Sequence, residues 1–167
     1  MGREAFAARG YAGSRLADIA AEAGLTTGAF YRHFASKWEF FVALHERYGA
    51  DLAEALGKSR SLRAQVVAWL EAARRHRGVV RAAQELSRTG SPHVETAREL
   101  RDDCASVVAK RLCPGGKSAP AARGAALMIV DIVSQYAWME AAGWIPERDP
   151  RAVAEQLERL VKRGLYR

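Results

Sequence analysis

The residues between positions 26 and 37 have side chains suited to contacting nucleic acid. This run opens with hydroxyl-bearing and small residues, and it continues with side chains that donate hydrogen bonds or carry positive charge. On a helix that enters a DNA groove, small residues let the backbone approach base edges, while longer donors reach phosphates. The residues expected to contact DNA are Thr26, Thr27, Gly28, Ala29, Tyr31, Arg32, His33 and Lys37.

The residues around this run predict the helices that position it. Ser14 is a suitable N-cap for a helix through Ala23, and Thr26 is a suitable N-cap for a second helix through Phe34. Gly24 lies between them and suits the left-handed conformation that ends a helix. Two short helices joined by a glycine turn are typical of a helix-turn-helix. The residues expected to pack between the helices are Leu16, Ile19, Ala20, Ala23, Leu25 and Phe30.

Gly10-Tyr11 and the segment from Leu16 to Lys37, which ends in GAFYRHFASK, resemble the DNA-binding domain of the tetracycline-repressor (TetR) family. The resemblance implies an all-α homodimer whose larger domain binds a small molecule that releases DNA. It also implies that residues 26–29 and Arg32 face bases. Tyr31, His33 and Lys37 would then hold the phosphate backbone. We interpret the chain as a transcriptional regulator, a repressor, acting on a near-palindromic double-stranded operator.

The chain departs from the family at its start. The family's first helix is usually longer and follows a basic arm, whereas only residues 1–9 precede Gly10. We therefore expect either a truncated chain or a true start that lies upstream, and we assign no DNA contact to an arm.

The sequence predicts an all-α fold of about nine helices, because strong helix formers dominate and strand patterns are absent. The clearest helix starts are a capping box at Ser36-Lys37-Trp38-Glu39 and the pair Asp149-Pro150. We expect a three-helix DNA-binding domain over residues 1–45. A helical bundle over residues 46–167 would bind the ligand and form the dimer, since the last two long helices resemble those that pair across TetR-family dimers.

Two later segments predict a ligand site. Trp69 and His76 share one helix face, and the helix after Pro120 carries an apolar stripe and a mixed stripe. A buried Asp131 would need an arginine or a ligand cation as partner. The residues expected at this site are Trp69, His76, Met128, Asp131, Gln135, Tyr136 and Trp138. Packing in the core or at an interface is an equal alternative for each of them. The last helix carries a narrow apolar stripe suited to a partner helix, formed by Val153, Leu157, Leu160 and Val161.

Other chemistry finds little support in the sequence. The histidines do not have metal-ligand spacing, and no glycine-rich phosphate loop occurs, so we expect no catalytic residue, metal or cofactor. Cys104 and Cys113 would lie on opposite faces of a helix, too far apart to bridge. No segment could span a membrane, which predicts a cytoplasmic protein. The alternatives are a ligand-independent DNA-binding or interaction module of the same fold and a helical-bundle enzyme.

The charge distribution qualifies the DNA prediction. The net charge is +7, which favours an anionic partner. Residues 1–50 contain six basic and five acidic side chains, however, and contribute only +1. Residues 58–88 contain eight basic and two acidic side chains and contribute +6. The DNA prediction therefore depends on the motif, and the sequence assigns no role to the later basic cluster.

Overall fold

The computed structural model describes residues 3–87, 93–112 and 119–165, and within these ranges all regular structure is helical. This confirms the predicted all-α class. The described helices are α1 (Arg3–Gly13), α2 (Leu16–Glu22), α3 (Thr27–Tyr31), α4 (Lys37–Lys58), α5 (Leu62–Arg75), α6 (Arg77–Ser87), α7 (His93–Leu112), α8 (Ala119–Ala141) and α9 (Pro150–Leu165).

Aromatic side chains form the core beneath the first three helices. Phe6 of α1 and Phe30 of α3 are fully buried, and both rings pack against Phe40 of α4, at centroid distances of 6.1 and 5.4 Å. Phe41 closes the same cluster edge-on to Phe6. Since aromatic pairs bury large areas in defined orientations, they fix how the short helices sit on α4.

Capping side chains set the start of α4 and α9 as expected. The Ser36 hydroxyl accepts a hydrogen bond from the Glu39 amide at 3.1 Å, and the Glu39 carboxylate accepts one from the Ala35 amide. The Asp149 carboxylate accepts a hydrogen bond from the Arg151 amide at 2.9 Å, so α9 begins at Pro150. These bonds satisfy amides that a helix start leaves without partners.

The prediction that Ser14 caps α2 is wrong. Helix α2 starts at Leu16, and Arg15 occupies the cap position without a side-chain bond. Ser14 is instead buried, and its hydroxyl donates to the carbonyls of Ala5 and Gly10 at 2.9 and 2.6 Å. A buried hydroxyl needs a partner, and Ser14 finds it in the carbonyls of α1.

The remaining helices form the bundle that holds these elements. Helix α5 packs against α4, α8 and α9, helix α7 packs along α8, and helix α6 packs against α1. The expected domain boundary at residue 45 lies inside α4, which passes without interruption from one part to the other. The division into residues 1–45 and 46–167 stays a prediction.

The apolar stripe on α9 serves mainly this chain. Leu157 is buried and lines a small space with Val66 and Leu70 of α5. Leu160 remains 69% exposed. The stripe therefore packs mainly against α5 of the same chain. Leu160 remains available for contact with another surface.

The described residues contain neither a membrane-spanning helix nor a candidate metal site. No helix among them is long and apolar enough to cross a membrane. The same residues contain no cluster of three or more His, Cys, Asp or Glu side chains suited to a metal ion. Cys104 is buried with a free thiol, and Cys113 lies outside the described residues.

Candidate nucleic-acid interface and interior cavity

The short helix α3 is held by a cap at its start and by one buried ring. The Thr26 hydroxyl accepts a hydrogen bond from the Ala29 amide at 3.1 Å, as expected for an N-cap. Phe30 is 1% exposed, and its ring lies 5.4 Å from that of Phe34. Because Phe30 points inward, the positions on the opposite side of this short helix point outward. Helix α3 ends at Tyr31, earlier than the expected Phe34.

A glycine turn sets the position of α3 relative to α2. Gly24 has a φ of 68°, in the left-handed region that favours glycine. The amides of Gly24 and Leu25 donate to the carbonyls of Ala21 and Ala20, both at 2.9 Å. These bonds close the C-terminus of α2, as in the common glycine-capped helix end. Leu25 is 37% exposed, so it covers the turn and only partly enters the core.

The structure brings seven predicted DNA-contacting residues onto one surface, the α3 face. Ala29 is half-buried and the others are exposed, with Tyr31 at 54%. A Cβ added to Gly28 would meet no atom within 4 Å, so open space lies outside the start of the helix. The α3 face consists of Thr26, Thr27, Gly28, Ala29, Tyr31, Arg32 and His33.

Lys37, the eighth predicted residue, points inward. Its ammonium group donates to the carbonyls of Tyr11 and Ser14 at 2.9 and 3.0 Å, and it lies 4.4 Å from the centre of the Tyr11 ring. Desolvation lowers the pKa of Lys37, and the Glu85 charge opposes that shift. Lys37 therefore ties the start of α4 to the turn between α1 and α2. A phosphate contact by Lys37 stays a prediction, and it would require these bonds to break.

A pair of charged residues on α6 grips the backbone of α1. Arg81 donates to the carbonyls of Ala7 and Ala8 at 2.9 and 3.2 Å. The Glu85 carboxylate accepts hydrogen bonds from the amides of Tyr11 and Ala12 at 2.8 and 3.2 Å. We call this arrangement the α6 clamp: Arg81 and Glu85 together with the backbone of residues 7–12.

The α6 clamp surrounds a kink in α1. Gly10 has a φ of 70°, which breaks the regular path of the helix and leaves backbone groups without intrahelical partners. A Cβ at this position would overlap the Glu85 carboxylate. The clamp was not predicted from the sequence. Its signals are an Arg and a Glu four residues apart on one helix and a glycine inside another.

A cavity of about 220 Å³ lies in the bundle behind the clamp. Helix α6 supplies part of its wall through Val80, Ala83 and Gln84. Tyr48 of α4 and Cys104 of α7 also line it. One helix thus contacts both the cavity and the kinked first helix of the DNA-binding motif.

The comparisons with known proteins agree with this geometry. Residues 2–44 match the family model described as bacterial regulatory proteins of the tetR family. These residues form a TetR-family helix-turn-helix domain. The resemblance of the GAFYRHFASK segment to that family is therefore confirmed. None of the curated proteins compared with the chain matched it.

Solved structures extend the similarity of fold to the whole chain. A TetR-like transcriptional regulator from Rhodococcus sp. RHA1 is 26% identical, with a TM-score of 0.74 over 98% of this chain and 91% of that one. A regulatory protein in the tetR family from Rhodococcus RHA1 is 23% identical, with a TM-score of 0.74 over 97% and 91%. A TetR-family transcriptional regulator from Pectobacterium atrosepticum is 22% identical, with a TM-score of 0.59 over 99% and 90%. The chain has the fold of a TetR-family transcriptional regulator.

The TetR-type bundle brings together only some of the predicted ligand residues. Trp69, Asp131 and Trp138 line the cavity. His76 is buried elsewhere, with Nε2 2.8 Å from the Asp51 carboxylate. Tyr136 lines a separate space of about 40 Å³ beside α9.

The other two predicted ligand residues, Met128 and Gln135, lie on the outer face of α8, where both are exposed. Trp138 is buried instead, so the expected mixed stripe is divided between two faces of α8. The periodicity located the stripe but not the direction in which each of its members points. The ligand roles of all seven residues stay predictions.

The expected buried acid is a different residue. The Asp131 side chain is 54% exposed and accepts two hydrogen bonds from Arg101, at 2.6 and 2.8 Å. Glu140 is 3% exposed and accepts two hydrogen bonds from Arg74, at 3.0 and 2.9 Å. The Arg148 amide also approaches Glu140, at 3.3 Å. An arginine therefore pairs with each acid, but only the Glu140 pair is in the TetR-type core.

Proposed function

We propose that this TetR-type chain is a ligand-responsive transcriptional repressor that binds a near-palindromic operator as a homodimer. The α3 face carries the proposal, because small residues and open space lie at the start of a recognition helix whose reverse side is anchored by Phe30. In helix-turn-helix proteins this end of the second helix contacts base edges. Residues 1–45 would bind DNA, and residues 46–167 would bind the ligand and form the dimer.

Exposed apolar residues support pairing through the last two helices. Met128 and Ile132 of α8 are 61% and 55% exposed, and they lie one helical turn apart. Leu160 of α9 is also exposed. A second copy would cover these side chains, since large exposed apolar residues that cluster often mark an interface. The dimer would place two α3 helices about 34 Å apart, in successive major grooves.

The α6 clamp gives a physical route for ligand response. Helix α6 lines the cavity and also grips α1 through Arg81 and Glu85. A ligand that binds one position of α6 more tightly than another shifts the DNA-binding domain by that difference in affinity. The cavity favours a ligand-responsive regulator over a ligand-independent module. The proposal assigns no catalytic role, and its DNA partner places the protein in the cytoplasm.

Selection of DNA by the purified chain tests the proposal. A randomised duplex library should yield a site with two related half-sites, and binding should weaken steeply with salt as phosphate contacts release counterions. Replacement of Tyr31 or Arg32 by Ala should weaken binding to the selected site by roughly five- to 150-fold, equivalent to about 1–3 kcal/mol per contact. Arg75→Ala is the matched control, because Arg75 is exposed on α5. Unchanged affinity in both α3 variants contradicts the assignment.

A further inference from the structure

Trp69 places a hydrogen-bond donor without an acceptor in the wall of the cavity. Trp69 is 5% exposed, and its indole nitrogen is buried with no hydrogen-bond partner in the described part of the chain. An indole N–H can only donate. A buried donor without an acceptor is costly, and native structures rarely keep one without a reason.

Tyr48 lies near the end of the Trp69 ring that carries the N–H donor. Both residues line the cavity. Burial raises the pKa of Tyr48, and the nearby Trp69 N–H partly opposes that shift. The N–H nevertheless does not reach hydrogen-bond geometry with the Tyr48 hydroxyl.

The charged and acidic groups at the cavity favour an uncharged occupant. Arg101 and Asp131 form a bidentate pair with each other. Burial raises the pKa of the Cys104 thiol to about 12, so the thiol is neutral at physiological pH. An anion would have to compete with Asp131 for Arg101, and a cation would have to compete with Arg101 for Asp131.

The size and lining of the cavity limit the occupant further. Much of the wall is apolar, including Leu52, Val80, Val130 and Ala137. An apolar cavity of about 150 Å³ in another protein holds benzene. The cavity here is about 220 Å³ and therefore has space for a somewhat larger compact molecule.

We propose that the effector is a neutral, compact, mono- or bicyclic molecule whose single oxygen acceptor, a carbonyl or an ether, takes the hydrogen bond of the Trp69 indole. This inference rests on the proposed ligand response and names the chemical class that the cavity selects. The ring system would lie against the apolar wall, and the acceptor would satisfy a buried donor that has no partner among the described residues.

Two probes with the same ring skeleton test the role of the acceptor. 1-Indanone carries a carbonyl, and indane is the corresponding hydrocarbon. Their affinities for the full chain are measured by calorimetry in the absence of DNA. Because water solvates the ketone better, the informative quantity is the ketone-to-hydrocarbon affinity ratio, compared between protein variants. Trp69→Phe should lower this ratio about tenfold, since it removes the donor and keeps an aromatic ring.

Trp144→Phe is the control, because Trp144 is an exposed tryptophan of the described chain that is not among the residues lining the cavity. This substitution should leave the ratio unchanged. An equal ratio in Trp69→Phe and the unaltered chain would falsify the proposal. Failure of both probes to bind the unaltered chain up to their solubility limits would overturn it as well.

A spectroscopic measurement on the unaltered chain avoids any effect of substitution on folding. The Trp69 indole N–H resonance should move downfield when 1-indanone saturates the cavity and should stay in place with indane. An unmoved resonance in the ketone complex contradicts the proposed hydrogen bond. Neither measurement involves DNA. If the chain discriminates between the probes but selects no operator, the proposed function is wrong and the inference about the cavity stands.

Discussion

Gly28 contributes to the α3 face by having no side chain. It is exposed at the start of α3, and nothing lies within 4 Å of where its Cβ would be. A substitution there should not disturb the fold, and it should slightly stabilise the helix, because glycine is among the poorest helix formers. The same side chain would stand between the helix and a DNA groove.

We therefore expect Gly28→Leu to unfold at the same or a slightly higher urea concentration but to bind the selected operator at least tenfold more weakly. Fluorescence anisotropy with labelled duplex measures the binding. Gly57→Leu is the matched control, because Gly57 is also exposed and faces open space, near the end of α4. A Gly28→Leu chain with normal operator affinity would show that this part of α3 does not enter a groove.

The residues of the α3 face were predictable because they are local. Their exposure follows from helical spacing around one buried ring, and Phe30 is recognisable from the sequence. Lys37 was not predictable in the same way. Its partners are backbone carbonyls more than twenty residues earlier, at Tyr11 and Ser14. Helical periodicity does not predict which backbone carbonyls near a turn will be available to accept a hydrogen bond.

At the junction of α1 and α6, side chains of α6 form hydrogen bonds with the backbone of α1. Glu85 supplies the acceptor for two amides just after the kink at Gly10. Without that carboxylate these amides depend on water. We expect Glu85→Ala to speed hydrogen exchange at the Tyr11 and Ala12 amides about tenfold or more, since a lost hydrogen bond to a charged group costs about 1.5–3 kcal/mol.

NMR-detected hydrogen exchange measures this effect residue by residue. Glu71→Ala provides the control, because Glu71 carries the same charge on the exposed surface of α5. Equal protection of both amides in the Glu85 and Glu71 variants would mean that the clamp does not hold α1.

Two arginine–carboxylate pairs of similar geometry differ in burial and should differ in energy. Arg74 binds the buried Glu140, and Arg101 binds the exposed Asp131. Removal of one partner of a buried pair leaves an uncompensated charge and costs about 3–5 kcal/mol, whereas an exposed pair contributes about 0–1 kcal/mol. Because Arg74 is a quarter exposed, water would relieve part of the cost.

Glu140→Ala should accordingly lower the free energy of unfolding by about 2–4 kcal/mol, and Asp131→Ala should lower it by less than about 1 kcal/mol. Urea denaturation of both variants measures the difference. Similar values for the two would show that burial does not set the strength of these pairs. Sequence periodicity places acids on helix faces, but it cannot show which face α5 and the α8–α9 connection will cover.

At the scale of the whole molecule, the basic cluster between residues 58 and 88 serves internal contacts. Arg63 pairs with Glu158 of α9, Arg74 pairs with Glu140, and Arg77 lies 3.6 Å from Glu147. Together with Arg81 in the clamp, these residues link α5 and α6 to other elements. The overall charge therefore says little about the DNA surface, because several of these basic residues pair with acids elsewhere in the chain. Pairing across such sequence separations could not be predicted from composition.

The outer face of α8 should decide the assembly state. We expect the purified chain to sediment as a dimer at micromolar concentration. Ile132→Glu should shift it to a monomer, because burial of an unpaired charge at an interface is unfavourable. Ala53→Glu is the control, since Ala53 is exposed on α4. Analytical ultracentrifugation measures the change. A monomeric unaltered chain, or an Ile132→Glu chain that stays dimeric, contradicts pairing through this face.

The position of α6 affects how much effector the chain would need when operator DNA is present. The same helix lines the cavity through Val80 and grips α1 through Glu85, so the proposed function links occupancy of the cavity to occupancy of the operator. Binding linkage is reciprocal. If an effector lowers the affinity for the operator by some factor, the operator lowers the affinity for the effector by the same factor. Under the proposed function, the chain held on DNA would thus need more effector than the free chain does. The effector concentration needed for release would then rise with operator occupancy. The same cavity would therefore fill at a lower effector concentration in the free chain than in the DNA-bound chain.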